Sequence, residues 1–198
     1  MRYINQLDYR HVPYHTNVAR EDYTDEQKLR NVAKSGCGLC SVCMMLDVLL
    51  TDVTLSVEEC VKISEDCVAN HSKGTDMTVL GPVIAEKFGL NYSSTANLDE
   101  AIRHLQKGGQ IIAHVDIPEG KEIGLFTKVG HYILLTSTDG EKFCILDPSY
   151  TPEKFTIPER AGKVDTSHAP FLYCNVDTVN AEGKTGKKYF HMFSRKDD

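Results

Sequence analysis

Three residues of this sequence have types and spacing suited to doing chemistry together: a cysteine at the head of a helix, a histidine opening a strand and an aspartate closing the next one. The cysteine is Cys37, in Ser35-Gly36-Cys37-Gly38-Leu39-Cys40-Ser41-Val42-Cys43. Ser35 offers an N-cap, and Leu39, Val42, Cys43, Leu46, Leu49 and Leu50 follow at helical spacing, which predicts a helix over 37–50. A sulfur at such a helix start faces the positive end of the dipole and the unpaired first-turn amides. Both stabilise a thiolate. The flanking glycines are expected to let a substrate carbonyl approach the backbone, with the Cys37 amide serving an oxyanion. The apolar stripe of this helix centres opposite Cys37, so Cys43 reads as core, Cys40 lies between, and Cys37 alone combines the helix start with an outward direction. Met44 and Val48 lie near its face, which makes the helix a central one.

A thiolate nucleophile needs a base within hydrogen-bond reach, and the base needs an orienting group. Of eight histidines, His131 directly follows a glycine and opens an apolar strand, Gly130-His131-Tyr132-Ile133-Leu134-Leu135. Asp147 ends the returning strand in Cys144-Ile145-Leu146-Asp147-Pro148-Ser149, and Asp139-Gly140 between the two is a hairpin turn signal. The beginning of one arm therefore lies beside the end of the other, which makes His131 and Asp147 neighbours. Singly, a histidine at a strand start is usually a satisfied core or surface residue, and Asp-Pro is usually a turn. It is the joint order Cys, His, Asp that points to nucleophilic catalysis.

The elements that must position these groups divide the chain by texture. Up to about residue 108 it reads mainly as helices. Ser56 and Glu59 form a capping box ahead of Val57, Cys60, Val61 and Val68. A third helix is expected over 77–88, stopped by Gly89, with Pro82 allowing a later start. Asn97 and Glu100 cap a fourth, ended by Gly108-Gly109. Strands are then expected over 110–115, 131–137, 143–146, 171–176 and 189–193, with a surface loop over 117–129. A helical N-terminal half packed on a C-terminal antiparallel sheet is an α+β arrangement, and no linker or repeat divides residues 1–198, which are expected to form a single domain.

A net charge of −6 argues against a nucleic-acid partner, which needs a basic footprint. The acidic stretch 21–26 reads as a solvated loop or helix end. No apolar run approaches the roughly 20 residues needed to span a bilayer, and the N-terminus lacks a signal-peptide core, so a cytoplasmic chain without a membrane span is expected. Seven cysteines cannot all pair within one chain. Cys43, Cys60, Cys67, Cys144 and Cys174 sit in apolar surroundings where a free thiol behaves as a small hydrophobe. No cofactor or metal is expected, and the partner is a peptide or small amide substrate.

Other readings compete for the same residues. Cys37-x-x-Cys40-x-x-Cys43 invites an iron–sulfur or zinc site, but a periodic helix points these thiols apart and no fourth ligand is assigned. Cys37-Gly38-Leu39-Cys40 looks like a thioredoxin-type redox pair, although no βα unit precedes it. Gly183-Lys184-Thr185 hints at a phosphate loop, yet Thr178 stands where its first glycine belongs. An acyltransferase or amidase on the same three residues stays open, as does a binding module without turnover.

The chain resembles the papain-like cysteine peptidases of the bacteriocin-leader (double-glycine) peptidase type, especially their stand-alone bacterial relatives. The matching pieces are Asn5-Gln6-Leu7-Asp8 with Pro13-Tyr14, Ser35-Gly36-Cys37-Gly38, Gly74-Thr75-Asp76-Met77 and Glu86-Lys87-Phe88-Gly89-Leu90, then Phe126-Thr127-Lys128-Val129-Gly130-His131 and Leu146-Asp147-Pro148-Ser149, over roughly residues 3–155. The resemblance implies a papain-like fold with Cys37 as nucleophile, His131 as base and Asp147 as its partner. It also implies that Gln6 donates to the oxyanion, a role nothing else about an isolated glutamine would suggest. Relatives commonly carry a proline and then a small or hydroxyl residue after Cys-Gly. Here Leu39-Cys40 stand instead, which bears on substrate preference. Replacing Cys40 by Ala separates two of the readings: a disulfide-exchange assay loses its signal if Cys37 and Cys40 form a redox pair, whereas hydrolysis through Cys37 largely survives.

Overall fold

The structure, a computed structural model, describes residues 1–15, 30–71, 74–183 and 188–196. The acidic stretch 21–26, with Lys184 and Thr185, lies outside these residues. A single helical turn, Val32–Ser35 (α1), leads into Cys37–Leu49 (α2). Ten of the thirteen α2 residues are buried, and only Cys37, Asp47 and Val48 escape. A helix apolar nearly all round is a central one. Ser35 does not cap it. Gly36 holds that position and no side chain bonds the first-turn amides, while Ser35 is buried as the last residue of α1 and its Oγ accepts from Arg30 Nη1 at 3.2 Å.

The capping box of Ser56 and Glu59 forms as expected and opens Val57–Asp66 (α3). A two-residue ladder, Asn70–His71 (β1) with Gly74–Thr75 (β2), precedes Met77–Phe88 (α4). Asp76 caps α4 by accepting from the Thr78 amide at 2.9 Å, so the helix starts at Met77 and holds Pro82 inside. Gly89 ends it at φ 67°, a left-handed conformation that glycine adopts without steric cost. Leu90–Thr95 (β3) and Leu98–Gln106 (α5) follow, then Gln110–Val115 (β4), His131–Thr138 (β5), Lys142–Leu146 (β6), Val164–His168 (β7), Phe171–Asn175 (β8), Val176–Gly183 (α6) and Phe190–Arg195 (β9).

Seven of these strands form one antiparallel sheet in the order β3-β9-β4-β5-β6-β8-β7. On one face Ile112, Leu134, Leu146 and Phe193 pack into a core with α2, α3 and α4. On the other, Ile111, Ala113, Ile133, Leu135 and Ile145 pack with Ala101 and Leu105 of α5 and with Val176 and Val179 of α6. The central strands are covered on both sides, so they read as continuous apolar runs.

The α+β expectation holds, with several elements it did not contain, among them α1, β1 and β2 and three that touch the main sheet. β3 is polar and half exposed, and all its ladder bonds come from β9, a hundred residues away. β7 is a similarly polar edge strand. α6 begins where β8 was expected to continue, at Val176. No described helix is long and apolar enough to cross a membrane.

The two glycines beside Cys37 are required by the chain's own packing. A Cβ on Gly36 would stand 2.5 Å from Val32 Cγ1 and 2.7 Å from Val32 O. One on Gly38 would stand 3.0 Å from Thr75 Cβ and 3.3 Å from the Tyr132 ring. Because the Gly36 clash is partly with backbone, Gly36→Ala is expected to cost about 1–3 kcal/mol, read as a lower urea midpoint at unchanged m-value.

Candidate active site

Cys37 is partly exposed at the uncapped start of α2, where the backbone amides of Gly38 and Tyr132 favour its thiolate. Tyr132 is the second residue of β5, so this amide holds the helix head against the strand head. His131, the first residue of β5, lies beside the Cys37 sulfur, near enough for its charge and hydrogen-bonding capacity to lower the thiol. Its Nε2 lies 2.7 Å from Asp147 Oδ1. Nδ1 is therefore the nitrogen turned to the sulfur. Gly130, just before it, takes φ 98°, which a side chain would strain.

The hairpin explains this meeting. Leu134 pairs with Leu146, and extending that register past the end of β6 sets Ser149 opposite His131 and Asp147 on the adjoining diagonal. Ser149 Oγ lies 3.1 Å from both His131 Nε2 and Asp147 Oδ1, and the Ser149 amide donates to Asp147 Oδ1 at 2.9 Å. The other carboxylate oxygen, Oδ2, accepts from Lys154 Nζ at 2.5 Å. Lys154 also donates to Ser149 Oγ at 2.7 Å.

Ser149 and Lys154 were not singled out as site residues. The hairpin register was the available signal for Ser149. No local pattern marks Lys154, which rides on a short 3-10 turn, Pro152–Phe155, fixed by Phe155 against Phe126 at 5.7 Å.

Gln6 is buried in a 3-10 turn between the two halves of the site. Its amide donates to Pro148 O at 2.7 Å, and its Nε2 donates to Ala33 O at 2.8 Å, one turn ahead of Cys37. Two neighbours reinforce this strap: the Tyr3 hydroxyl donates to Asp147 O at 2.6 Å and Asn5 Nδ2 to Tyr150 O at 2.8 Å. The structure thus brings Cys37, His131 and Asp147 into one cluster and sets Gln6 beside both ends of it. The hydrogen bonds of Gln6 run to Ala33 and Pro148 and not to the Cys37 sulfur.

Electrostatics follow from this geometry. Burial alone would push the Cys37 thiol up, but the His131 hydrogen bond, the imidazolium charge and the two amides outweigh it and hold the thiol below its ordinary value. For His131, burial is the largest effect and opposes the charged form. The Asp147 charge together with hydrogen bonding to Asp147 and Cys37 outweighs it and a lesser opposing push from Lys154, and the imidazole stays protonated above its usual range. Burial likewise opposes the Asp147 carboxylate, yet the charges of Lys154 and His131 keep it ionised far below the usual carboxylate range. The arrangement favours a thiolate beside an imidazolium. Cys40, by contrast, is fully buried in the core and its thiol is pushed well above the ordinary value by burial, which suits it poorly to redox exchange with Cys37. Cys43 and Cys60 are buried together between α2 and α3. All seven cysteines are unpaired.

The family model described as Peptidase_C39 like family matches residues 2–164. Two solved structures share the fold. The peptidase domain of Streptococcus ComA, a bi-functional ABC transporter involved in a quorum-sensing pathway, is 12% identical with a TM-score of 0.51, over 81% of this chain and 91% of that one. A putative C39-like peptidase from Bacillus anthracis is 11% identical with a TM-score of 0.56, over 99% of each chain. No curated protein matches. The papain-like fold implied by the sequence resemblance is the fold of this chain.

The two partly exposed thiols of the chain, Cys37 and Cys67, differ in surroundings: burial raises Cys67, whereas Cys37 has a cation beside it. Near pH 6, iodoacetamide is therefore expected to alkylate Cys37 well ahead of Cys67, as read by peptide mass spectrometry. His131→Ala is expected to bring Cys37 down to the rate of Cys67.

Proposed function

The chain belongs to the Peptidase_C39 like family, and from that premise we propose that it is a cysteine peptidase-like hydrolase cleaving an amide bond through Cys37, His131 and Asp147. The observation that carries this reading is the His131 ring held at Nε2 by Asp147 at 2.7 Å and lying beside the Cys37 sulfur, whose thiol it lowers, at a helix start no side chain caps. An uncapped helix start leaves its first amides for a ligand.

The steps follow from which atoms are free. The Cys37 thiolate attacks the substrate carbonyl carbon, and the carbonyl electrons move onto oxygen. That oxyanion accepts from the Cys37 amide and from the second Nε2 hydrogen of Gln6, the first being held by Ala33 O. Imidazolium Nδ1 then gives its proton to the leaving nitrogen as the C–N bond breaks, leaving a thioester on Cys37. Water attacks that thioester while Nδ1 takes its proton. Cys37 departs as thiolate, and the imidazolium is restored beside it. Asp147 keeps the ring in the orientation and tautomer that both transfers need.

The same reading takes residues 1–198 as one domain, since β9 near the end of the chain joins β3 to β4. Its substrate is a peptide or a small amide.

The test is cleavage of a synthetic peptide mixture, read as new termini by mass spectrometry. Wild type is expected to cut, and Cys37→Ala to abolish cutting with an unchanged circular dichroism spectrum and melting temperature. Gln6→Ala is expected to lose about 10²–10³ in kcat, the usual size for one oxyanion donor. Asp147→Asn loses less than Cys37→Ala. A Cys37→Ala variant that cuts at the wild-type rate would end this reading.

A further inference from the structure

Asp147 holds more than the histidine. Its second carboxylate oxygen is taken by an ammonium that is itself buried, with Lys154 Nζ at 2.5 Å and its side chain 8% exposed. A lysine is almost never buried without a strong reason, because desolvating its charge is costly. Lys154 meets that cost with Asp147 and with Ser149 Oγ at 2.7 Å, and Ser149 in turn touches His131 Nε2 at 3.1 Å. A fourth charge is thereby wired into the same cluster as the cysteine and histidine.

We propose that Lys154 is a positioning residue of the Cys37–His131–Asp147 relay, its ammonium offsetting the Asp147 carboxylate so that His131 holds a proton for the leaving nitrogen yet remains able to release it. This inference rests on the function proposed above.

Charge balance supplies the reason. With Lys154 present, the buried group sums to zero whether the proton sits on sulfur (neutral thiol and imidazole with Asp⁻ and Lys⁺) or has moved to the ring (S⁻, imidazolium, Asp⁻, Lys⁺). Without it, both states carry an uncompensated negative charge in a desolvated site. The carboxylate then binds the imidazolium too firmly for it to act as an acid.

Among the described residues, few groups face this cluster. Asp147 and Ser149 contact Lys154 directly, Cys37 acts across the site, and Arg160 opposes the ammonium from the chain that follows. The Tyr3 hydroxyl donates to the Asp147 carbonyl from the N-terminal strap. Lys154 lowers the proton affinity of His131, opposite in sign to Asp147.

The experiment measures the rate of Cys37 alkylation by iodoacetamide across pH, site-resolved by mass spectrometry, in wild type, Lys154→Met and Lys154→Arg. Wild type is expected to show two steps, one as the thiolate–imidazolium pair forms and one as the imidazolium loses its proton. Removing a positive charge favours protonated forms, so Lys154→Met is expected to move both steps to higher pH, the upper by about one unit or more. Lys154→Arg is expected to retain the wild-type steps. If the Met variant melts below the assay temperature, Lys154→Gln serves in its place, keeping a donor to Asp147 without the charge.

A neutral variant with the wild-type profile, or an Arg variant shifted as far as the Met variant, overturns the inference while leaving the proposed function standing. A wild-type Cys37 with no low-pH step overturns both.

Discussion

The imidazole of His131 is engaged at both nitrogens, and the molecule is arranged around keeping it so. One nitrogen meets a sulfur delivered by the central helix, and the other meets a carboxylate delivered by the next strand of the same hairpin. Neither partner is adjustable by a loop. The sulfur heads a helix buried over nearly its whole length, and the carboxylate follows a strand in mid-sheet. The ring is thus fixed by two rigid elements about a hundred residues apart in sequence. Rigid elements hold reacting groups more accurately than loops do.

The loop that leads into His131 shows how irregular backbone can be made stiff. Arg160 donates to the carbonyls of Gly124 at 3.0 Å and Thr127 at 3.2 Å, while the Glu182 carboxylate accepts from the amides of Leu125 and Phe126. Buried polar backbone is thereby satisfied without secondary structure. On the other side, Tyr3, Asn5 and Gln6 bind the segment 147–150, so the first residues of the chain close over the end of the hairpin. Burial works against each charge in this cluster, and only their mutual pairing makes four of them tolerable in one place.

What was legible in the sequence was whatever local periodicity could express. The α2 stripe put Cys37 outward and Cys43 in the core, and the Asp139-Gly140 turn with the two apolar arms brought His131 to Asp147. The Ser56–Glu59 box and the Asn97 cap were equally local and form as read. What escaped depended on partners distant in sequence. β3 is a strand because β9 lies beside it, and Lys154 belongs to the site because Asp147 and Ser149 await it. Ser35 misled for a related reason: its role is set by Arg30, and the close packing of the flanking glycines on Val32, Thr75 and Tyr132 was equally outside what a local window weighs. Gln6 came only from the family resemblance, and its place between Pro148 and Ala33 is a tertiary fact.

The position of β9 has a consequence for how such a molecule comes into being. Residues 190–195 slot between β3 and β4, and β3 has no other neighbour in the sheet. A nascent chain therefore carries two unpaired edges, on β3 and β4, until β9 leaves the ribosome. Edges of that kind invite wrong pairings. The polar, half-exposed character of β3, which hid it from sequence reading, is the trait that makes one of those waiting edges safe.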